Sequence, residues 1–186
     1  MNGRPSRIAL FAIIAITLAV RCSFPQRQVL TWDVFGYYLY LPATVTHHDV
    51  ALQDGAWLEE VMTTYTPSAT LYQLVDGPDG NRVIKYSSGM AVLYAPFFLV
   101  AHGLAGPLGH PADGFSPPYQ LSITIGCLAF ALFGLVLLRK VLLHFFDDRW
   151  SAALLFLIAL GTNWFQLVAW DGTLLTHPAL FTLYAW

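Results

Sequence analysis

YQLSITIGCLAFALFGLVLL, at residues 119–138, determines the fold class because it places twenty consecutive residues without a charged side chain. A second stretch of the same length and character, SAALLFLIALGTNWFQLVAW, occupies residues 151–170. A helix needs about 20 apolar residues to cross a hydrocarbon core about 30 Å thick. Both stretches therefore predict membrane-spanning helices.

The composition agrees with a membrane protein. The chain of 186 residues is 56% hydrophobic and only 11% charged, whereas a soluble domain carries about 25% charged residues. Nine basic and eleven acidic residues leave a net charge of −2, so there is no basic footprint for nucleic acid. Cys22 and Cys127 lie in different settings and form neither a metal motif nor a predicted disulfide.

Towards the N-terminus, an apolar run at residues 8–20 follows Arg4 and Arg7 and ends at Arg21. We predict a first span at residues 7–24, with the N-terminus in the cytoplasm and Arg21 reaching the far interface. Towards the C-terminus, residues 173–186 begin a further apolar run. We therefore expect the chain to be the N-terminal part of a single membrane domain in a longer polytopic protein.

One apolar stretch decides the topology. GMAVLYAPFFLVAHGLA, Gly89–Ala105, contains Pro96 and His102 and either crosses the bilayer or lies in its outer interface. In the second case the basic loop at residues 139–150, including the solvated turn Asp-Asp-Arg, is cytoplasmic, and residues 25–118 form one external loop. The positive-inside tendency favours this second topology.

An acidic residue stands out just beyond the first span. The stretch TWDVFGYYLYLP, residues 31–42, places Asp33 among aromatic rings, and an acid at this depth is costly unless it is solvated, paired or used. Gly36 would let the backbone turn tightly, while Tyr37 and Tyr38 could stack on a sugar or anchor at the headgroups. Asp33 could accept a proton from an attacking hydroxyl; alternatively it caps a helix or is simply solvated beside an aromatic belt.

Two further groups of polar residues could join Asp33. Lys85 and Tyr86 precede an apolar helix, where backbone N–H groups, hydroxyls and an ammonium suit a phosphate or diphosphate; alternatively Lys85 is a snorkelling side chain. Asp171 and His177, in WDGTLLTHP, could complete a cluster with them or belong to an ordinary interfacial turn.

A metal site is not predicted. The sequence His-His-Asp at residues 47–49 offers possible ligands, but adjacent side chains diverge and no further ligand is placed by spacing. We predict no resident cofactor, and a divalent cation stays open.

These stretches resemble a known family. WDVFGYYLYLPA, KYSSGMAVLYAPFFLVAH and LGTNWFQLVAWDGTLLTHPALF are similar to the N-terminal part of bacterial GT-C membrane glycosyltransferases, in the protein-mannosyltransferase-like and aminoarabinose-transferase-like branches. The proline-rich pattern near the end of the first loop in protein mannosyltransferases has no clean counterpart here, and KYSSGM lies in its place.

The resemblance implies an all-α polytopic protein of the bacterial inner membrane, with about three to four transmembrane helices in this part and a long extracytoplasmic loop carrying juxtamembrane helices. It also implies sugar transfer from a polyprenyl-phosphate donor, embedded among membrane lipid, to an acceptor at the periplasmic face. Asp33 would be the base, and Lys85, Tyr86 and His177 would meet the leaving phosphate.

Two other functions remain open. One is a non-catalytic polytopic protein, a transporter or accessory subunit, which charged residues in mid-span would favour; residues 119–138 and 151–170 contain none. The other is a transferase that moves a group such as phosphoethanolamine, which would normally need a clear metal cluster.

Overall fold

The computed structural model describes residues 4–25, 28–77, 80–172 and 174–186, and the chain is mostly helical. Its helices and strands, in chain order, are α1 (Arg4–Ser23), α2 (Trp32–Tyr38), α3 (Gly55–Tyr65), β1 (Leu74–Asp76), β2 (Arg82–Ile84), α4 (Gly89–Ala105), α5 (Pro117–Phe145), α6 (Asp148–Gly161) and α7 (Thr176–Ala185), with π-helical turns at Pro42–Thr46 and Gln166–Asp171. The chain divides into two compact units: a terminal unit of Met1–Pro25 with Cys127–Trp186, and a central unit of Gln26–Gly126.

Two helices in the described part of the chain, α1 and α5, are long and apolar enough to cross a membrane, and α4 is a shorter apolar helix. They contain the predicted spans 7–24 and 119–138, apart from residue 24. The predicted count of three to four spanning helices is not reached within the described ranges. Residues 173–186, predicted to begin a further span, contain α7 from Thr176 to Ala185; residue 173 lies outside the described residues.

In the terminal unit, α1 packs against α6. The buried positions of α1 include Ser6, Leu10, Ile13, Thr17 and Arg21, and their spacing of three or four residues places them on one side of the helix. The opposite side exposes large apolar side chains. The helix thus has one side packed against the rest of the unit and one apolar side exposed on the surface.

Arg21, which we expected at the far interface, makes a contact within the terminal unit. Its side chain is buried, and Nη1 donates a hydrogen bond to the Trp170 carbonyl oxygen over 3.1 Å. The last carbonyls of a helical segment lack partners within that segment, and Trp170 lies near the end of the second π-helical turn. Arg21 therefore caps a helical end, and that it lies at an interface stays a prediction.

The predicted loop at residues 139–150 is largely helical. Its first part, RKVLLHF, contains good helix formers and neither Gly nor Pro, so α5 continues to Phe145. Asp147 then begins α6, because its side chain accepts hydrogen bonds from the backbone N–H groups of Arg149 and Trp150. Only a short turn separates the two helices.

Asp148, the first residue of α6, is buried, which corrects the expectation of a solvated Asp-Asp-Arg turn. Its Oδ1 accepts a hydrogen bond of 2.5 Å from Ser6 Oγ on α1, and Arg139 Nε on α5 donates to the same Ser6 Oγ over 2.8 Å. Three helices thus share one buried polar cluster, which the linear spacing of these residues does not reveal.

The stretch at residues 151–170 is two helical pieces instead of one helix. Helix α6 ends at Gly161, and the backbone of Thr162 is extended, with φ of −122° and ψ of 179°. Thr162 Oγ1 then accepts a hydrogen bond from Trp164 N as a new helical segment starts. The prediction counted Gly-Thr-Asn only as uncharged residues, although such residues favour helix ends.

The central unit, predicted as a long external loop, is folded around aromatic rings. The rings of Phe35, Tyr38, Tyr94, Phe98 and Phe115 are buried, with neighbouring centroids 5.6–6.3 Å apart. Such separations are typical of packed aromatic pairs. Helices α2 and α4 contact each other in this core, so the segment that carries Asp33 rests on a well-packed base.

Helix α4 has the bounds predicted from the sequence. One side is buried, whereas Val92, Leu99, Val100 and Leu104 are exposed on the other. A helix of 17 residues is about 26 Å long. Whether it crosses a bilayer stays a prediction.

The central unit also contains an antiparallel hairpin of β1 and β2, in which Leu74 pairs with Ile84. A backbone hydrogen bond of 2.9 Å from Lys85 N to the Gln73 carbonyl oxygen extends the pairing by one position. Tyr72 lies in the turn that precedes β1, and Tyr86 follows β2 by two residues. Residues 78 and 79, in the sequence DGPDG at residues 76–80, lie outside the described residues.

Candidate functional site

Asp33 lies in the first turn of α2, and its side chain is exposed. Its Oδ1 accepts two hydrogen bonds, one of 2.7 Å from the Tyr72 hydroxyl and one of 2.6 Å from the Tyr86 hydroxyl. Within the described part of the chain, Oδ2 has no hydrogen-bond partner. One oxygen is therefore held by the protein, while the other can bind something else.

The two phenols change the acidity of the group they hold. Hydrogen bonds from Tyr86 and then Tyr72 lower the pKa of Asp33, and slight burial opposes them. Burial first, and the bond to Asp33 second, raise the pKa values of Tyr72 and Tyr86. At neutral pH, Asp33 is consequently ionised and both phenols are protonated.

The residue before Asp33 is clamped in an unusual conformation. Trp32 has φ of 52°, in the left-handed region that costs a non-glycine residue about 1–3 kcal/mol. Its N–H donates to the Pro67 carbonyl over 2.9 Å, and its carbonyl accepts from Nε2 of the fully buried Gln73 over 3.0 Å. These two bonds hold the backbone that carries the Asp33 side chain.

Tyr86 is held equally closely. A Cβ added at Gly36 would lie 2.4 Å from Cδ2 and Cε2 of the Tyr86 ring, so glycine alone permits this approach. The Tyr37 ring contacts Tyr86 edge-on at 4.5 Å, and the Tyr40 hydroxyl donates to the Tyr86 carbonyl over 2.6 Å. Gly36 thus serves close packing within α2 instead of the tight turn that we expected.

Lys85 lies beside this group. Its Nζ is 5.9 Å from the centroid of the Tyr72 ring, near the outer limit of a cation–π contact, and its side chain is exposed. The described residues give Lys85 no salt-bridge partner. A single ammonium is thus available next to the phenol that holds Asp33.

The structure therefore brings together four of the predicted site residues, Asp33, Tyr37, Lys85 and Tyr86. Tyr38 is different: it is fully buried, and its hydroxyl donates to the Gly114 carbonyl oxygen. Tyr38 cannot stack on a substrate, and its assignment to substrate binding was wrong. The sequence alone does not distinguish it from Tyr37, because the two are adjacent and chemically identical.

Asp171 and His177 belong to the terminal unit. His177 is exposed in the first turn of α7, and Asp171 is the last residue of the second π-helical turn. The Asp171 side chain lies outside the described part of the structure. That either residue meets Asp33 stays a prediction.

The candidate ligands at residues 47–49 serve the local fold. The His47 ring stacks on Trp57 at 4.1 Å, and Asp49 Oδ2 accepts from Trp57 Nε1 and from Asp54 N. His48 has an exposed side chain and a φ of 52°. A search of the described residues finds no group of three or more His, Cys, Asp or Glu side chains that could hold a metal ion.

Sequence reasoning missed Tyr72 and the contact between Gly36 and Tyr86. The sequence does not give the position of Tyr72, because a hairpin centred on DGPDG, residues 76–80, would pair residues whose numbers sum to 156, whereas the observed pairs sum to 158. The packing of Tyr86 on Gly36 has no sequence signal either, since it depends on how the hairpin meets α2.

No family model matches this chain, and no curated protein or solved structure matches it either. The class of molecule that the fold defines is a mostly helical protein with two helices that could span a membrane. Chemically, the site presents an ionised carboxylate with one open oxygen, two phenols and one ammonium. It can accept a proton or hydrogen bond from a hydroxyl and attract an anion nearby.

Proposed function

We propose that the chain belongs to a multi-pass membrane glycosyltransferase, which moves a sugar from a polyprenyl-phosphate donor to an acceptor hydroxyl at the periplasmic face of the bacterial inner membrane. The observation that carries the proposal is the Asp33 carboxylate, which is ionised, held at Oδ1 by Tyr72 and Tyr86, and open at Oδ2. The resemblance of the sequence to GT-C enzymes supports the same interpretation.

The proposed step is an inverting displacement. The acceptor oxygen forms a bond to the anomeric carbon of the sugar as the bond from that carbon to the phosphate oxygen breaks. The electron pair of the broken bond leaves with the polyprenyl phosphate, and Asp33 Oδ2 receives the proton of the acceptor hydroxyl.

The proton does not remain on Asp33. A carboxyl with a lowered pKa is a weak base, but it is ionised at every physiological pH. The second pKa of a phosphate monoester is about 6, well above the ordinary Asp value of about 3.9. The leaving phosphate is therefore the more basic group, and the proton passes downhill to it or to water.

Lys85 is proposed to meet the charge that develops on the leaving phosphate. Tyr86 lies next to it in the chain, but its one hydroxyl proton is donated to Asp33. The ammonium is exposed and lies over the Tyr72 ring, and charge stabilisation of a leaving group is often the largest catalytic contribution. No nucleic acid and no resident cofactor enter the scheme.

The membrane provides the remaining support. Helices α1 and α5 are long and apolar enough to cross a bilayer, and exposed apolar side chains on α4 offer a surface for lipid. A polyprenyl tail needs such surroundings, while its phosphate stays at headgroup depth. Burial of each methylene in the bilayer contributes about 0.8 kcal/mol relative to water, so the tail keeps the donor in the membrane.

The test replaces Asp33 with Asn in the protein reconstituted in bacterial membranes. Transfer of labelled sugar from polyprenyl-phosphate mannose and polyprenyl-phosphate aminoarabinose should fall at least about 10²-fold, whereas membrane insertion should be unchanged. Asp76→Asn is the matched control, because the side chain of Asp76 is 97% exposed and lies 3.9 Å from Arg82 Nε. An Asp33→Asn variant that transfers sugar normally overturns the base assignment, and absence of transfer by the unmodified protein favours the non-catalytic alternative.

A further inference from the structure

We infer that Tyr72 and Tyr86 are positioning residues, which hold Oδ1 of Asp33 between them and leave Oδ2 as the single oxygen that faces the acceptor hydroxyl. The identity of that hydroxyl rests on the proposed function. The fixed orientation of the carboxylate rests on geometry alone.

The hairpin supplies the pair as a unit. Its register pairs Leu74 with Ile84, and the bond from Lys85 N to the Gln73 carbonyl continues the ladder. Tyr72 lies in the turn that leads into β1, closed by a hydrogen bond of 3.0 Å from Leu74 N to the Leu71 carbonyl oxygen, and Tyr86 follows β2 by two residues. Both hydroxyls reach the same oxygen atom, at 2.7 and 2.6 Å, so the two donors act as one clamp.

Helix α2 fixes the clamp against Asp33. Gly36 lies three residues after Asp33 and so shares its side of the helix, and the Tyr86 ring occupies the space that a Cβ at Gly36 would need. Tyr37 and Tyr40 hold Tyr86 from two other directions. The ring has little freedom to turn away from the carboxylate.

The backbone of Asp33 is fixed by the same hairpin. Gln73, the residue between Tyr72 and the first strand, is buried and donates to the Trp32 carbonyl over 3.0 Å. The left-handed conformation of Trp32 persists only because such contacts over-determine it. One short segment thus holds both the backbone and one oxygen of the carboxylate.

The charged and titratable groups that face Asp33 in the described part of the chain are few. They are the phenols of Tyr72 and Tyr86, with the ammonium of Lys85 over the Tyr72 ring. Both phenols stabilise the ionised carboxylate, because they donate to it. Removal of either hydroxyl should therefore loosen the carboxylate and make it easier to protonate.

The test compares Tyr72→Phe and Tyr86→Phe with Tyr65→Phe as the matched control. Tyr65 also donates to an aspartate of the central unit, Asp113, but that bond is not part of the candidate site. Each site variant should lower kcat about tenfold with little change in KM for the donor. The acid limb of the kcat/KM profile should move to higher pH, because a carboxyl that loses donors has a higher pKa.

A second readout does not depend on activity. The infrared carbonyl band of protonated Asp33, obtained as the difference between the unmodified protein and Asp33→Asn, should titrate at higher pH in both site variants and at an unchanged pH in Tyr65→Phe. An unmodified protein that transfers no sugar would refute the proposed function, while the infrared titration would still decide the positioning role. Site variants with an unchanged titration or an unchanged pH profile overturn the inference.

Discussion

Two aspartates of the central unit accept hydrogen bonds from tyrosine hydroxyls, yet they differ in what remains of their acceptor capacity. Asp113 uses both oxygens: Tyr65 donates to Oδ2, and the backbone N–H groups of Phe115 and Ser116 donate to Oδ1 at 2.8 and 2.9 Å. Asp33 uses one oxygen for two phenols and leaves the other open. Both oxygens of Asp113 therefore accept hydrogen bonds within the fold, whereas only one oxygen of Asp33 does.

This contrast indicates how a structural acid differs from a candidate catalytic one. Asp113 fixes the turn that leads into α5 through two local backbone N–H groups, and its third partner, Tyr65, lies 48 positions away. Asp33 has partners 39 and 53 positions away but keeps one oxygen open, and a strained Trp32 precedes it. Backbone strain beside an unsaturated charge indicates a site, because neither helps the local fold.

The largest expected effect is on the free energy of unfolding, on replacement of Asp113, whose two oxygens both accept hydrogen bonds. Asp113→Ala should lower the free energy of unfolding by about 2–3 kcal/mol, since it leaves the Tyr65 hydroxyl and two backbone N–H groups without their acceptor. Asp33→Ala should cost about 1 kcal/mol or less, because its side chain is exposed and water can replace it on the two phenols.

Reversible unfolding in mixed detergent micelles would measure both free energies. Asp33→Asn serves as the control that keeps the side-chain volume. Equal losses at Asp113 and Asp33 would contradict the distinction, since they would make Asp33 as structural as Asp113.

The second prediction tests whether the position of the Tyr86 ring matters when its hydroxyl group is kept. Gly36→Ala leaves both hydroxyls in place but puts a methyl group 2.4 Å from the Tyr86 ring, so the ring must move. We expect a loss of stability of about 1–2 kcal/mol from overpacking and a loss of sugar transfer comparable to that of Tyr86→Phe.

Gly103→Ala is the matched control for this change. It lies in α4 of the same unit, and an added Cβ there meets no atom within 4 Å. Alanine should stabilise that helix by up to about 1 kcal/mol. If Gly36→Ala behaves like Gly103→Ala in both assays, the close approach of Tyr86 does not matter to the site.

Much of the fold followed from the sequence wherever uninterrupted apolar length was the deciding property. Helices α1, α4 and α5 correspond to the runs at 7–24, 89–105 and 119–138. The prediction of one helix over residues 151–170 was wrong at Thr162, because hydropathy is averaged over a window and does not detect a local break in the helix. The buried Asp148 was missed, because its partner Ser6 lies 142 positions away.

The site was predictable in part for a related reason. Asp33 stood out because an acid near a span is costly, and Lys85 and Tyr86 because they precede an apolar helix. Tyr72 could not have been found from a hairpin centred on DGPDG, because the observed register is shifted by two from the one that this centre predicts. The burial of Tyr38 and the role of Gly36 could not be predicted either, because both depend on tertiary packing between segments that carry no complementary pattern.

The smallest effect is expected in the pH dependence of stability. The bonds from Tyr86 and Tyr72 lower the pKa of Asp33, so the folded state binds its proton less tightly than the unfolded chain does. The resulting stabilisation is fully present above the unfolded pKa of about 3.9 and is lost as pH falls through the lowered folded value. The difference in unfolding free energy between the unmodified protein and Asp33→Asn should therefore shrink on acidification.

Tyr86→Phe should reduce this pH dependence of the unfolding free energy more than Tyr72→Phe does, because Tyr86 is the larger cause of the lowered pKa of Asp33. Water screens an exposed carboxylate, so the effect stays small, and the same exposure is what leaves Oδ2 free to meet a hydroxyl.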